Sequence, residues 1–391
     1  VTSTSATTAG WHQDLGRGAA GTALARIAAV RLTGLPPRAT ASWIRAMTAS
    51  PVTANASASL FHGAPAVAFV LHTGAHPAYA AMLAALDEHV NDLTALKLAA
   101  AYERIDRGEL TRPGEYDLIS GLTGLGAYHL VRHGPAGSGM TAAVLGYLVA
   151  LSEPVRKDGE SLPGWWSGTG PAGAPDPAWP GGHLNLGMAH GIAGILALLS
   201  GAMRAGIQVD GQARAVSELC AAFDSYRQGS ADCPWWPAMI TFDEHKCGTT
   251  DSGRQARPSW CYGTPGQARA QQLAGLALRD RARTRAAERA LAGCVLDRQV
   301  TGLLTDASLC HGWAGLVQAL WRAAGDALDP GPLRAALREA RRGMEDHLAR
   351  AGPPASSGLL EGTSGIQLAQ NDPPHAGGEP PAWDACLLLT L

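Results

Sequence analysis

Cys261, Cys310 and His311 offer two thiols and an imidazole, ligand types that zinc takes. Catalytic zinc keeps three protein ligands and an open fourth position, and these residues make a Cys₂His set of that kind. Cys310 and His311 are adjacent, so both reach one ion only from irregular backbone, which the turn before Gly312 permits. The chain holds seven cysteines. An odd count without a secretory signal argues against a disulfide framework. Cys220, Cys294 and Cys386 fall in helical or apolar surroundings and read as core. Cys233 and Cys247, with His245 nearby, occupy the irregular stretch DCPWWPAMITFDEHKCG and read as loop thiols, not a second metal site.

The elements that position these residues are repeats. A Gly-x-x-Gly turn followed by an Ala- and Leu-rich run recurs seven times, opening at Gly18, Gly63, Gly121, Gly191, Gly263, Gly312 and Gly362. Successive copies begin 45 to 72 residues apart, room for two helices and their connections. The second copy is degenerate, with Ala66 at the later glycine, and is where the assembly is expected to loosen. Between turns the spacing is helical: Leu333, Leu337, Ala340, Met344 and Leu348 follow Pro332, and a weaker stripe runs from Arg283 to Arg298. Period-two alternation is not convincing, so a sheet is not expected. The pattern predicts an all-α chain of seven helix-pair repeats, in which glycine supplies the left-handed conformation of a sharp turn and close helix contact. Each unit leaves an apolar face bare, so neighbours stack. Periodicity leaves an open solenoid and a closed ring both standing.

The residue before each first glycine is polar: Arg17, His62, Ser120, His190, Tyr262, His311 and Glu361. Equivalent positions of stacked repeats face one side, so Cys261, Cys310 and several histidines gather at one rim.

Composition limits the alternatives. Of 391 residues, 46% are hydrophobic and 16% charged, with a formal net charge of −2. That balance supports a large core and gives no electrostatic case for nucleic acid or an anionic membrane. No apolar run reaches the ~18–20 residues of a membrane span, and the first twenty residues lack a secretory pattern, so a cytoplasmic protein is expected.

The motifs NLGMAHGIAG (Asn185–Gly194), SWCYGTPG (Ser259–Gly266) and SLCHGWAG (Ser308–Gly315) resemble those of the lanthionine synthetase C-like family, in the family's order. The glycine turns extend the likeness from about residue 14 to the C-terminus. The resemblance implies one α/α toroid over residues 1–391, with seven inner and seven outer helices. Only 17 residues precede Gly18, so the first outer helix should be short or missing. It further implies a zinc-dependent lanthipeptide cyclase that adds peptide cysteine thiols to dehydroalanine or dehydrobutyrine. By position, Cys261, Cys310 and His311 would bind Zn²⁺, His190 would be the acid/base, and Tyr262, Arg257 and Asp117 would line the site. Expected partners are a dehydrated precursor peptide and, in the same pathway, a dehydratase and a transporter.

Other readings remain at this level. A non-catalytic or glutathione-binding member of the same family would use the same zinc site. Terpenoid cyclases and prenyltransferases share the toroid, but their aspartate-rich clusters are missing: no Asp-Asp pair occurs. A glycosidase needs two facing carboxylates, and the rim offers only Asp117 and Glu361, without a supporting motif. Arg257 and Asp117 also fit an ordinary charge pair, and His62 fits a structural role. The Trp-rich loops at 164–183 and 232–245 precede the His190 and Cys261 turns; they either grip an extended peptide or cover helix ends.

Overall fold

Each glycine turn opens a helix. In the computed structural model, which describes residues 10–33, 40–137, 139–250, 255–371 and 382–390, these are the odd-numbered members of a set of thirteen helices. They are α1 (Ala19–Thr33), α3 (Ala64–Gly74), α5 (Leu122–His133), α7 (Ile192–Arg204), α9 (Thr264–Ala277), α11 (Trp313–Asp326) and α13 (Thr363–Gln370). The even-numbered helices are α2 (Ala41–Met47), α4 (Ala80–Asp106), α6 (Gly139–Ala150), α8 (Gln212–Ser225), α10 (Arg281–Leu296) and α12 (Pro330–Ala351). Three shorter helices, Pro113–Tyr116, Phe242–Cys247 and Arg298–Thr301, lie in connections.

Each odd helix packs on the next, and α13 packs back on α1, so the odd helices form a closed ring. Each even helix lies against the odd helix before it, outside the ring. The burial follows the sequence. Ile192 to Ala202 of α7 are all buried, as befits a helix that is apolar on every side. Outer helix α12 buries only the stripe Leu333, Ala336, Leu337, Ala340 and Met344. Each such large apolar side chain contributes roughly 1.5–3 kcal/mol when buried. Helix α12 starts at Pro330, two residues before the expected start, capped by Asp329, whose carboxylate accepts from Gly331 N at 3.1 Å.

The fold is therefore an α/α toroid. Among the described residues, six of the seven inner helices have an outer partner, and α13 is followed by residues outside the described set. Residues 382–390 enter the hollow of the ring. There Arg322 of α11 clasps Asp384 through two contacts of 2.6 Å, and Trp260 Nε1 donates to Leu387 O at 2.9 Å. Arg269 of α9 donates to Leu389 O. Before Gly18 only a single helical turn, Trp11–Gln13, is described; the outer-helix expectation otherwise concerns residues 1–9, outside the described residues.

Two expectations need correction. Three short two-stranded ribbons do occur, all within loops: 155–157 with 160–162, 183–185 with 239–241, and 228–229 with 234–235. They are too short to show a period in sequence. The turn glycines are also not left-handed as a rule. Gly263 has φ −96° and ψ 175°, which is extended. It must be glycine because a Cβ there would lie 2.4 Å from Arg257 O. Only Gly63, in the degenerate copy, takes a positive φ, 76°.

Candidate functional site

The turns before the inner helices are tied head to tail around one mouth of the ring. Leu118 N–H donates to Ala189 O, Ala189 N–H to Cys261 O, Cys261 N–H to Cys310 O, and Cys310 N–H to Leu360 O. Leu360 N–H then donates to Gly16 O, and Leu15 N–H to Phe61 O. One link is missing, between the second turn and the third. Phe61 N–H bonds to Ser59 Oγ instead, at 3.3 Å. The gap falls at the degenerate copy, although α3 and α5 still pack together there.

Within most turns, a side-chain oxygen four residues before the first glycine accepts from the turn's own N–H groups. Asp117 Oδ1 accepts from Ser120 N and Gly121 N at 2.6 and 2.9 Å, and Ser308 Oγ from His311 N at 3.2 Å. Asp14 and Ser259 do the same for Arg17 and Tyr262. These caps hold the pre-glycine residues at the mouth. The N-termini of the inner helices also converge there, and their dipoles favour negative charge.

Cys261, Cys310 and His311 meet in this frame: their ligand atoms all lie within 4.8 Å of one another, close enough to hold one metal ion. Donation from Cys310 draws the Cys261 thiol down to about 7, with Ser259 and Arg257 assisting against burial. The same interaction, with burial, pushes Cys310 up. His311 Nε2 lies 3.3 Å from Asp306 Oδ2, which leaves Nδ1 for a metal.

The cluster opens on a cavity of about 390 Å³ that His190, Tyr262 and Arg257 also line. His190 and Tyr262 rings stack with centroids 6.0 Å apart. Burial first, then the neighbouring Cys261 charge, push the Tyr262 hydroxyl up to about 12, so it stays a neutral donor. Arg17 and Glu361, from the adjoining first and last turns, pair at the mouth at 2.9 Å.

Asp117 does not line this cavity. It is 2% exposed, behind His190, with Oδ2 2.5 Å from His190 Nδ1. Nor does it pair with Arg257, whose guanidinium lies 3.8 Å from Asp306. Asp306 is a residue that sequence reading missed. Its signal was its place six residues before Gly312, where Arg257 stands before Gly263. His62 stays out of the cavity, its backbone bridged to Asp14 and Ser59.

Of the five tryptophans in the Trp-rich loops three are buried, and Trp179 and Trp235 are half-buried. Trp165, Trp166 and Trp236 are buried, and Trp166 and Trp236 donate to Gly181 O and Phe223 O. No tryptophan of either loop lines the cavity. Cys220, Cys294 and Cys386 are buried, Cys233 is half-buried and Cys247 exposed. Among the described residues, the Cys261 cluster is the one group of three or more such side chains arranged to hold a metal.

A closed helical toroid with a two-cysteine, one-histidine cluster at its mouth defines a narrow class of protein. A family model described as lanthionine synthetase C-like protein matches residues 11–388, and this chain belongs to that family. The chain is 24% identical over 261 residues, 66% of its length, to "Nisin biosynthesis protein NisC" of Lactococcus lactis subsp. lactis. That match spans 60% of the relative's own length. The solved structure of "Nisin cyclase" superposes with a TM-score of 0.79 at 22% identity, covering 98% of this chain and 93% of that one, a likeness of fold.

Proposed function

We propose that this chain is a zinc-dependent lanthipeptide cyclase, closing thioether rings by adding peptide cysteine thiols to dehydroalanine or dehydrobutyrine. Residues 1–391 would act as a single cyclase domain. The observation that carries the reading is the Cys261–Cys310–His311 cluster opening on the cavity that His190 lines. Two thiolates and one imidazole suit zinc, and three protein ligands leave a position for substrate. When bound, zinc supplies a Lewis acid that favours the thiolate of an incoming thiol at neutral pH.

The remaining work falls to the chain's own groups. The substrate sulfur adds to the β-carbon, forming the C–S bond, while the alkene pair shifts to give an enolate. The α-carbon then takes a proton. His190 is the residue to move it, because Asp117 holds Nδ1 and leaves Nε2 for the substrate. Tyr262 keeps the imidazole in place by stacking and offers a neutral hydroxyl. Converging helix N-termini favour both the thiolate and the enolate.

The proposed substrate is a dehydrated precursor peptide, supplied by a dehydratase and passed to a transporter of the same pathway. A cytoplasmic setting fits this role. Among the described residues no helix is long and apolar enough to cross a membrane. The test is incubation with a dehydrated precursor peptide, counting free thiols by alkylation and mass. One thiol should disappear per ring at unchanged peptide mass. Undiminished thiols, with zinc and glutathione still bound, would favour the non-catalytic, glutathione-binding reading.

A further inference from the structure

His190 and His311 are each backed by an aspartate built into a glycine turn, and the two pairs share one construction. Asp117 spends Oδ1 on the N–H groups of its own turn and turns Oδ2 to His190. Asp306 spends Oδ1 on Ser308 N, at 2.8 Å, and turns Oδ2 to His311 Nε2, at 3.3 Å. Forming the turn needs only the first oxygen. The second is free to act on the histidine, and Arg257 Nη1, from the neighbouring turn, approaches it at 3.8 Å.

An imidazole binds a metal through a nitrogen that carries no proton, so the other nitrogen must carry it. A carboxylate beside Nε2 stabilises N–H there and leaves the Nδ1 lone pair outward. Asp306 is not itself within the metal-holding group. We infer that Asp306 is a positioning residue for the metal centre: its Oδ2 fixes the Nε2–H tautomer of His311 and so presents Nδ1 to the ion, while Arg257 braces the carboxylate. The inference rests on the zinc-site reading proposed above. It also gives Arg257, which lines the cavity, a second role as support of the carboxylate.

Asp306→Asn is the discriminating variant. Its carbonyl oxygen still accepts from Ser308 N, so the turn survives, but its amide N–H₂ faces Nε2 and favours the wrong tautomer. Zinc affinity, measured at one pH by competition with a chromophoric chelator, should fall by roughly 10–100-fold. The helical circular dichroism and melting temperature of the metal-free protein should be unchanged. Wild-type affinity in Asp306→Asn overturns the proposal. A second measurement needs no variant: ¹⁵N-histidine spectra of the zinc-loaded wild type should show His311 protonated at Nε2, and protonation at Nδ1 overturns it equally. Cys310→Ala separates this from the site itself. If that variant keeps a full zinc equivalent, the zinc-site reading fails. If it loses zinc while Asp306→Asn binds normally, only the role of Asp306 falls.

Discussion

His190 lines the cavity beside the Cys261–Cys310–His311 cluster but lies outside the group whose atoms could hold one ion, and Asp117 is tied to its Nδ1. On the proposed reading it is a proton carrier and not a fourth ligand. A fourth protein ligand would close the metal to substrate. His190→Asn is therefore expected to keep its zinc stoichiometry while cyclisation slows by roughly 10²–10⁴-fold. Zinc content measured alongside ring formation checks this; zinc lost together with activity would make His190 a ligand. Asp117→Asn should keep the turn, since its oxygen still accepts from Ser120 and Gly121, but its amide would face Nδ1 and favour the wrong tautomer. Cyclisation should fall at least about tenfold with zinc retained, a smaller loss than for His190→Asn because the proton carrier remains. Equal rates in Asp117→Asn and wild type would reduce Asp117 to a turn cap.

Among the elements, the glycine turn carries the most structural weight. The second glycine of a full copy faces the carbonyl six residues back: a Cβ on Gly315 would lie 2.2 Å from Leu309 O. That carbonyl belongs to the turn holding Cys310, so relieving the clash must shift the backbone beside Cys310. Gly315→Ala is expected to destabilise the protein by about 1–3 kcal/mol and to weaken zinc binding. Gly325, ten residues further along the same helix α11, has open space around it. Gly325→Ala should instead stabilise by roughly 0.4–1 kcal/mol, mainly by restricting the unfolded chain. Urea midpoints of the two variants should move in opposite directions. A shared direction would mean that helix propensity, not the turn contact, sets the requirement for glycine.

At the scale of the molecule, backbone bonds tie the turns along the rim at every junction but the one between the second and third, and residues 382–390 fill the ring from within. Asp384 is fully buried, between Arg322 and Gln318. Asp384→Ala would leave Arg322 without its buried partner, a loss of about 3–5 kcal/mol. Because Leu387 O receives the Trp260 indole beside Cys261, that variant should also weaken zinc binding. Unchanged thermal stability would show that the segment fills space without supporting the ring. A second global property comes from His129, buried on inner helix α5, where burial first and then His133 depress its pKa to about 4. The unfolded chain protonates near the ordinary value of about 6.5, so it gains a proton that the folded state refuses. The neutral imidazole's contribution is complete above that pH and is lost as pH falls toward 4, by about 3 kcal/mol. Urea titrations of wild type and His129→Gln between pH 7 and 4 should show this decline in the wild type and lack it in the variant. Identical declines would assign the acid sensitivity elsewhere.

The sequence by itself determined the repeat and its phase. Seven glycine turns at one register put Cys261, Tyr262, Cys310 and His311 on a common rim, because a fixed offset from a repeated turn is a fixed direction in space. It also marked helix positions to within a few residues, since the apolar stripe of α12 is local information. Tertiary structure alone decided whether the stack closes. Arg17 meets Glu361 across 344 residues, through small rotations accumulated between repeats that no short motif encodes. It also decided which carboxylate serves which partner: Asp117 went behind His190 and Asp306 to His311 and Arg257, because neighbouring turns set those distances. Trp165, Trp166 and Trp236 turned inward for a related reason. The short ribbon of 183–185 with 239–241 ties their loops together, and the large apolar rings gain more from the core than from the water at the mouth.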